Sequence, residues 1–501
     1  MNKIVKEILR AQVYQVAKET PLENAHVLSN KHTNTILIKR EDLQQVHSFK
    51  IRGAFNKINK LSLQEKSKGI ISVSAGNHAQ GVAMSAQYLN IKSTIVMPIT
   101  TPDIKVNAVK SYGANVILFG DNYDDATKYC LQLVKEHGLT LIHPFDDEDV
   151  MAGQGTIAVE ILRQHSRHID AVFVPIGGGG LIAGISAYFN EVSPNTKIIG
   201  VEPIDAASMS ESLKNDEITA LNRVGLFADG VAVKKVSEKT FSIVKKTVKE
   251  IMLVSVDETC AAIKDIFEDN RSVAEPAGAI GLAGMKQYIK KYQLTNKTLV
   301  VIESGSNINF DRLRHVAERA DIGEQKEILF SVCIPETPGS FKSFCSLLGK
   351  QQITEFNYRY SDSKLAQVFV GLSNPKKNKK DIFNKIEMTG LKVVDFSDNE
   401  MAKQHVRYMV GGHSVTKDKE VVYRFEFPER PGALMDFLIE IGETWNISLF
   451  HYRNHGAAYG RVLVGLEVPS NEIDDLEKSF NLLKFNYKKE TDNSAYKLFL
   501  S

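Results

Sequence analysis

The sequence predicts an α/β catalytic region followed by two small α+β modules, and three observations support this fold class. Short β-branched runs alternate with amphipathic helical patterns from residue 1 to about 320, which is typical of parallel sheets covered by helices. A charged segment that contains a glycine, Glu318–Lys326, follows and is interpreted as a domain boundary. Beyond it one pattern occurs twice, and each copy predicts a compact module.

Apolar runs mark the expected strands of the first region. They are Thr35–Ile38, Gly69–Val73, Thr94–Met97, Asn115–Leu118, Ala171–Pro175, Lys197–Val201, Met252–Val256 and Thr298–Ile302. Helical periodicity lies between most of them, for example in Ala79–Leu89 and Tyr123–Glu136. Ligands in such folds bind beyond the carboxyl ends of the strands, so functional residues are expected in the loops that enter helices.

The C-terminal repeat consists of three blocks in a fixed order. PETPGSF (335–341), ITEFNYRY (353–360) and VFVGL (368–372) correspond to PERPGAL (428–434), ISLFHYRN (447–454) and VLVGL (462–466). Each copy predicts a strand, a Pro-Gly turn, a helix and two strands, followed by another helix and strand. The expected domains are therefore 1–320, 327–400 and 421–495, with Met401–Glu420 as a linker.

Composition excludes several classes of protein. Hydrophobic residues make up 43% and charged residues 24%, and the net charge is +2, so no strong field for nucleic acid or an anionic membrane is expected. No run of about 18 apolar residues predicts a membrane span, and the first residues show no secretory signal. Four scattered cysteines without a CxxC pair predict no disulfide framework, no metal site and a cytoplasmic setting.

The segment HSFKIRGA (47–54) contains a candidate catalytic lysine. Ser48 is expected to cap a helix, which would put Lys50 in the first helical turn at the sheet edge. Partial burial favours the neutral amine, which can form a Schiff base with an aldehyde cofactor. Taken alone, the motif fits a surface lysine better.

The segment SAGNHAQG (74–81) follows a predicted strand and opens a helix. Free backbone N–H groups at a helix N-terminus suit a carboxylate, and small residues let a ligand approach the backbone closely. A capped helix start without a ligand is equally compatible with the motif. His78 is expected to be a structural residue of this loop rather than a base.

Four consecutive glycines precede Leu181 and a predicted helix. Such a loop has a high entropic cost, which favours the interpretation that its N–H groups surround a phosphate at the positive end of a helix. The stretch from Gly178 to Ala183 also satisfies GxGxxA, and Glu202 ends the next strand, where a ribose-binding acid would lie. A nicotinamide dehydrogenase is therefore the alternative from local pattern. The fourth motif, ESGSN (303–307), by itself indicates only a turn.

Together these four motifs, in this order, resemble the threonine dehydratase family, which belongs to the tryptophan synthase β-like (fold type II) class of pyridoxal-phosphate enzymes. The resemblance covers most of residues 10–320, and the double repeat resembles the paired ACT-like regulatory modules of the biosynthetic members. It implies pyridoxal 5'-phosphate as the cofactor. Serine racemase, catabolic serine/threonine dehydratase, cysteine synthase and threonine synthase compete within the class, and SAGNHAQG favours the dehydratase and racemase branch.

The resemblance also implies roles for individual residues. Lys50 would carry the cofactor and remove the Cα proton, Phe49 would lie against the pyridine ring, and Asn77 would hydrogen-bond its phenolic oxygen. Ser304 would face the pyridine nitrogen, and Glu275 is a further candidate near the site. The phosphate would be bound by Gly177, Gly178, Gly179, Gly180 and Leu181. The substrate carboxylate would be surrounded by Ser74, Ala75, Gly76 and His78.

The implied reaction converts L-threonine to 2-oxobutanoate and ammonia, the first committed step of isoleucine biosynthesis. A hydroxyl such as that of Ser304 does not force the pyridine nitrogen to be protonated, which should favour loss of the β-hydroxyl over transamination. Outside this class, a non-catalytic amino-acid sensor built on residues 327–501 is a second alternative.

Regulation is expected in the repeated modules. Isoleucine would bind them and lower the activity, valine would oppose it, and the resemblance implies a homotetramer. The candidate effector residues are Glu355, Phe356, Tyr358, Arg359, Phe450, His451, Tyr452 and Arg453. A purely structural role in core and subunit contacts explains any one of them equally well.

Overall fold

The computed structural model describes residues 2–324, 327–335, 344, 347–348, 352–359, 365–373, 379–408, 420–428, 436–437, 440–441, 445–453 and 459–500. The chain divides into two compact units, Met1–Ala320 and Asp321–Ser501, and each is described by itself.

Two sheets form the centre of the first unit. Its strands are β1 (Leu22–Asn24), β2 (Thr35–Arg40), β3 (Ile70–Val73), β4 (Ser93–Met97), β5 (Asn115–Leu118), β6 (Thr140–Leu141), β7 (Ala171–Pro175), β8 (Lys197–Pro203), β9 (Glu250–Val254) and β10 (Thr298–Glu303). The larger sheet has the order β1-β2-β10-β7-β8-β9, and the smaller has the order β5-β4-β3-β6. The pairings are parallel apart from β1 with β2.

Helices alternate with these strands. They are α1 (Lys3–Arg10), α2 (His26–His32), α3 (Lys50–Asn59), α4 (Leu63–Lys68), α5 (Asn77–Tyr88), α6 (Asp103–Ser111), α7 (Tyr123–His137), α8 (Glu148–Gln164), α9 (Gly180–Val192), α10 (Ser208–Asn215), α11 (Glu238–Thr247), α12 (Val256–Asn270), α13 (Pro276–Tyr292) and α14 (Arg312–Gly323).

The larger sheet is buried on both faces because successive side chains of a strand point to opposite sides. In β7, Val172 and Val174 belong to the core that α8 and α9 cover. Phe173 belongs to the core on the other face, with residues of α12 and α13. The continuous apolar run from which this strand was predicted therefore reflects a layer between two helical layers.

Each of the predicted strands of this unit is present, and the α/β class is confirmed. The sequence patterns did not predict β1 and β6, which have only three and two residues. One prediction is wrong: Ser48 does not cap α3, because the N-cap position is Phe49 and no side-chain capping bond forms. Ser48 instead makes an isolated bridge with Gly305, which holds it before the helix begins.

The second unit contains two sheets of the same design. Its strands are β11 (Glu327–Pro335), β12 (Gln352–Arg359), β13 (Leu365–Ser373), β14 (Val393–Asp395), β15 (Glu420–Pro428), β16 (Asn446–Arg453), β17 (Tyr459–Glu467) and β18 (Asn486–Lys489). The helices are α15 (Lys379–Glu387), α16 (Glu400–Gln404), α17 (Ile473–Leu483) and α18 (Ser494–Phe499). The strand orders, β12-β13-β11-β14 and β16-β17-β15-β18, are equivalent.

The two modules also share a shift of register between two of their paired strands. The pairing of β12 with β13 shifts register between Ile353 and Glu355, and that of β16 with β17 shifts between Ile447 and Leu449. The predicted order of strands, and the helix and strand that end each copy, occur in both modules. The Pro-Gly turns lie outside the described residues.

Parts of the expected linker and of the expected domain boundary are helical. The expected linker begins within α16, whose Met401 and Ala402 are buried in an apolar core with Val422. The start of this segment is therefore packed rather than solvated. The expected boundary at Glu318–Lys326 starts within α14, and residues 325–326 lie outside the described part of the chain. No described helix has the length and apolar composition that a membrane crossing needs.

Candidate active site

A cleft with an empty volume of about 440 Å³ lies at the carboxyl ends of β7 and β10. It is lined by Phe49, Lys50, Asn77, Phe145, Pro175, Gly177, Gly178, Gly179, Gly180, Leu181, Gly230, Val231, Glu275, Ala277 and Ser304. All of the residues predicted to bind the cofactor are in this set, so the four motifs meet in one place.

The motifs are also joined by backbone hydrogen bonds. The Phe49 N–H donates to the Ser304 carbonyl over 3.2 Å, and the Ser306 N–H donates to the His47 carbonyl over 2.9 Å. The loop after β10 therefore holds the start of α3. These bonds place the first and fourth motifs side by side, although some 250 residues separate them in the chain.

Lys50 is the first residue of α3, as predicted, and its amine lies in the cleft. Its Nζ donates to the carbonyl of Pro144 over 3.2 Å and lies 5.2 Å from the centre of the Phe49 ring. Burial lowers the pKa of this amine from 10.5 to about 8, and the nearby carboxylate of Glu275 opposes the shift. A substantial fraction of the amine is therefore neutral, and so nucleophilic, near pH 7 to 8.

The glycine loop connects β7 to α9, which begins at Gly180. Gly179 has φ +89°, a left-handed conformation that favours glycine. A Cβ on Gly178 would lie 2.2 Å from the Phe145 ring, so a side chain there would overlap it. Among the described residues, the N–H groups of Gly177–Leu181 donate to no backbone carbonyl. They are available to a ligand in the cleft.

Several lining residues were not predicted from the sequence. Phe145 closes the cleft opposite the glycine loop, and its ring packs edge-on against His143 at 4.7 Å. Gly230 and Val231 come from a loop between α10 and α11. A lone Phe and a Gly-Val pair are common in loops, and the sequence held no signal that would have singled them out.

Asn77 and Glu275 are in direct contact within the cleft. Nδ2 of Asn77 donates to Oε1 of Glu275 over 2.5 Å. Burial raises the pKa of the Glu275 carboxyl to about 7, the negative charge of Asp229 adds to this, and the bond from Asn77 opposes it. Glu275 was predicted near the site, and it lines the cleft.

Ser304 follows β10 and is buried in the cleft wall. Its hydroxyl donates to the carbonyl of Ala277 over 3.3 Å. Because that bond uses the hydroxyl hydrogen, the oxygen lone pairs stay available as acceptors on the cleft side.

The four residues predicted at the substrate carboxylate lie between β3 and the first turn of α5, outside the lining set of the cleft. The Gly76 N–H donates to the Ser74 hydroxyl over 3.2 Å. His78 is buried, and its Nε2 lies 3.0 Å from the carbonyl of Ile142. Burial lowers the pKa of His78 to about 3, so this imidazole stays neutral in a structural position, as expected, although it lies in the helix rather than in the loop.

The geometry around Glu202 contradicts the dehydrogenase alternative. Its carboxylate accepts the N–H groups of Met209 and Ser210, over 2.9 and 2.8 Å, at the start of α10. The side chain is fully buried, and burial raises its pKa to about 8. A carboxyl that binds a helix N-terminus in this way does not face a ribose.

The candidate effector residues lie on β12 and β16, which are the equivalent strands of the two modules. The structure describes the backbone of these strands, and their side chains lie outside the described residues. Their role in effector binding stays a prediction. Among the residues described here, no group of three or more His, Cys, Asp and Glu could hold a metal ion.

The cleft fits pyridoxal phosphate on chemical grounds. Free N–H groups at the start of α9 suit the phosphate, a partly neutral lysine suits the aldehyde, and a buried hydroxyl that can donate suits the nitrogen on the far side of the ring. A parallel α/β fold with such a cleft defines a pyridoxal-phosphate-dependent enzyme of fold type II.

Comparisons with known proteins agree with this class. Residues 13–305 match the family described as "Pyridoxal-phosphate dependent enzyme". Residues 318–406 and 411–500 each match the "C-terminal regulatory domain of Threonine dehydratase". The chain belongs to the threonine dehydratase family, with a pyridoxal-phosphate-dependent catalytic region and two regulatory domains, as the resemblance implied.

Individual relatives are similar over the whole length. The biosynthetic L-threonine dehydratase of Burkholderia multivorans is 51% identical over 501 residues, covering 99% of each chain. That of Escherichia coli is 49% identical over 99% of this chain and 97% of its own. Among solved structures, a processed threonine deaminase isoform of Solanum lycopersicum has a TM-score of 0.62 and 48% identity, covering 64% of this chain and 92% of that one.

Proposed function

We propose that the chain converts L-threonine to 2-oxobutanoate and ammonia, with Lys50 as the cofactor-bearing lysine and the proton-transferring base. One observation carries the proposal: the Lys50 amine, with its pKa lowered to about 8, lies in the same cleft as the glycine loop. The full-length similarity to proteins named L-threonine dehydratase supports the choice of threonine as substrate. Pyridoxal phosphate, when bound, supplies an electron sink for negative charge on the substrate Cα.

Lys50 has two tasks in this proposal. Its neutral amine would hold the cofactor, and the same amine would serve as the base at the substrate Cα. The Pro144 carbonyl accepts a hydrogen bond from Nζ over 3.2 Å and so helps to orient it in the cleft. Because the base is tethered to α3 beside the cleft, proton transfer is effectively intramolecular.

The other cleft residues bind and orient. The N–H groups of Gly177–Leu181 would hold the phosphate, and the ring of Phe49 would lie against the pyridine ring. Ser304 would turn its hydroxyl hydrogen from the Ala277 carbonyl to the ring nitrogen and donate a hydrogen bond there, which leaves the nitrogen without a full positive charge. The first turn of α5, which begins after Gly76, would receive the substrate carboxylate, since the N–H groups of a first helical turn have no partner within the helix and attract an anion.

The most direct test combines an assay with a chemical label. The purified protein, supplied with pyridoxal phosphate, is incubated with threonine, and release of the 2-oxo acid is measured. In parallel, borohydride reduction is followed by peptide mass mapping. We expect turnover and a label at Lys50; a label elsewhere, or no turnover of threonine, would falsify the proposal.

We further propose that isoleucine lowers this activity through the two C-terminal domains and that valine opposes it. The match of both copies to a threonine dehydratase regulatory domain supports the presence of small-molecule effectors. Trp445, the only tryptophan, packs on the core of the second module, and its Nε1 donates to Glu472 over 2.9 Å. Millimolar isoleucine should change its fluorescence and the rate; if neither changed, this proposal would be abandoned.

A homotetramer and a cytoplasmic location complete the proposal. The resemblance to the family supports the tetramer, and sedimentation of the holoenzyme tests it. A reducing compartment is supported by the scattered cysteines, of which Cys130 and Cys260 are buried and form no disulfide.

A further inference from the structure

Asn77 is held by partners on both ends of its side-chain amide. Its Nδ2 donates to Oε1 of Glu275 over 2.5 Å, and its Oδ1 accepts from Nδ2 of Asn307 over 2.7 Å. Asn307 also donates from Nδ2 to the carbonyl of Val46 over 2.8 Å. Donors and acceptors therefore run in one direction, from Asn307 through Asn77 to Glu275.

This direction fixes which way the Asn77 amide points. If the amide turned over, its NH₂ group would face the NH₂ group of Asn307, and its oxygen would face the carboxylate of Glu275. Both contacts would be unfavourable. One hydrogen of Nδ2 is used by Glu275, and the second remains available on the cleft side, since Asn77 lines the cleft.

The side chain of Glu275 contacts Asn77 and does not cap its own helix, α13. It occupies the N-cap position of α13, where a side chain commonly accepts from the first turn, but it makes no such capping bond. Its carboxylate is only 5% exposed and points to Asn77 instead.

Gly305 leaves room for that carboxylate. A Cβ at this position would lie 2.7 Å from Oε1 of Glu275. The surroundings thus accommodate a buried acceptor at this one point, and the arrangement draws on four separate segments of the chain.

We propose that Asn307 and Glu275 are positioning residues that lock the Asn77 amide with its Nδ2 as the hydrogen-bond donor toward the cofactor. This inference rests on the proposed function, in which Asn77 donates to the ring oxygen of pyridoxal phosphate. A donor at that oxygen stabilises its ionised form, so the effect must be visible in the absorbance of the bound cofactor as well as in turnover.

The test uses the full-length holoenzyme, in which substitutions reverse the direction of the hydrogen bonds that Asn77 makes with Asn307 and Glu275. Asn307→Asp replaces a donor with an acceptor of nearly the same shape, so Asn77 should turn over. The double variant Asn307→Asp with Glu275→Gln supplies an acceptor at one end and a donor at the other, which suits the reversed amide. Asn309→Asp makes the same chemical change two residues on, outside the cleft-lining set, and serves as the control.

We expect Asn307→Asp to lower kcat about 10- to 100-fold, the effect of one lost hydrogen bond in the transition state, with KM within about threefold. The absorbance that depends on Lys50 should shift toward shorter wavelength. The double variant should regain part of the lost thermal stability but neither kcat nor the spectrum. Glu275→Gln alone keeps an acceptor oxygen for Nδ2 of Asn77, so the absorbance of the bound cofactor should shift less than in Asn307→Asp.

Two results would overturn the proposal: a wild-type kcat and spectrum in Asn307→Asp, or recovery of both together with stability in the double variant. The second would mean that these residues act through packing alone. Should Asn307→Asp fail to fold, Asn307→Ser removes the donor without adding charge and is measured in the same way. The spectral comparison requires no turnover, so wild-type protein that has the band but releases no 2-oxo acid would reject the proposed function separately.

Discussion

Both units of the chain have apolar cores, and they differ in the contacts that are added to those cores. In the first, Arg52 is fully buried between two carboxylates: its Nε lies 2.8 Å from Glu41, and one terminal nitrogen lies 2.5 Å from Glu160. Lys39, also fully buried, pairs with Glu160 over 2.6 Å. Two cations and two anions make this cluster electrically neutral, and it links α3 to β2 and α8.

The second module of the other unit is held together by aromatic rings. The ring of Phe425 lies 4.8 Å from that of Phe480 and 5.1 Å from that of Phe437, both edge-on. Tyr423 packs against the same cluster, with its ring 5.0 Å from Phe480. These contacts contribute mainly through buried apolar area rather than through directed bonds.

The difference matches what each unit has to do. Arg52 lies two residues after Lys50 on α3. The charged cluster therefore holds this helix, with the Lys50 amine at its start, in one orientation. Ring packing is less directional, and several arrangements of similar energy can bury the same area. A region that responds to effectors needs two states of comparable energy, whereas a cleft that positions a base needs one.

The largest effect is expected from Lys50→Ala, which removes the reactive amine and leaves the charged cluster in place. Threonine turnover should fall at least about 1000-fold, because both the nucleophile and the base are lost. Release of 2-oxo acid measures it, and Lys110→Ala, at an exposed lysine, should keep the wild-type rate. A Lys50→Ala protein that keeps a tenth of the activity would contradict the assignment.

Arg52→Met removes a buried cation from the charged cluster of the first unit and tests how much that cluster contributes to stability. Leaving the two carboxylates without their shared cation should lower the free energy of unfolding of this unit by about 3–5 kcal/mol. Denaturant unfolding followed by circular dichroism measures it, while the fluorescence of Trp445 reports the second unit. Arg163→Met disrupts an exposed pair with Glu19, and the loss of unfolding free energy should be much smaller than in Arg52→Met. Equal losses of unfolding free energy in Arg52→Met and Arg163→Met would show that the buried cluster stabilises this unit no more than an exposed ion pair does.

The burial of Lys50 also predicts how the reactivity of its amine depends on pH in the cofactor-free protein. A pKa of about 8 in place of 10.5 makes the neutral fraction of Lys50 at pH 7 about 300-fold larger than that of an unperturbed lysine. Reductive labelling of Lys50 by an aldehyde, compared with a lysine peptide, should show this difference and level off above about pH 8. A rate that keeps rising to pH 10 would rule out the lowered pKa.

The same shift has a definite sign for stability. The unfolded chain binds more protons at Lys50 between about pH 8 and 10.5, so the free energy of unfolding of the cofactor-free protein should rise over that range. Lys50→Ala should remove this rise.

The smallest loss of stability is expected for a substitution at Tyr423, in the aromatic cluster of the second module. The Tyr423 hydroxyl donates to Glu477 over 2.8 Å, and Tyr423→Phe should lower the free energy of unfolding of the second unit by about 1 kcal/mol. The transition seen by Trp445 fluorescence measures it. Tyr487→Phe is the matched control, because its hydroxyl bonds Asn481 at the surface, and a few tenths of a kcal/mol is expected. A larger loss in the control would mean that hydrogen bonds, rather than rings, stabilise this module.

Much of the fold was predictable because periodicity and turn residues are local properties. The strand at Ala171–Pro175 and the module order after residue 327 follow directly from apolar runs and a repeated pattern. The position of Lys50 in the first turn of α3 was also predicted, but from the wrong cap, since Ser48 forms a bridge with Gly305, which lies far away in the chain.

The site was predictable where residues lie in motifs and not where tertiary contacts bring them in. The glycine loop and Ser304 stand out in the sequence, and they line the cleft. Phe145 reaches the cleft through a loop without any distinctive pattern, and the bond between Asn77 and Glu275 spans almost 200 residues. Contacts of that range depend on the packed sheets, which no local pattern encodes.

The matching strand irregularities at Ile353 and Ile447 have a consequence for how this chain can change over time. Each position of one module has a counterpart in the other, so a duplicated unit gives selection two copies on which to act. One copy can keep an ancestral ligand while the other drifts toward a different one. A pair of mirrored substitutions, one in each copy, would reveal how far that divergence has gone.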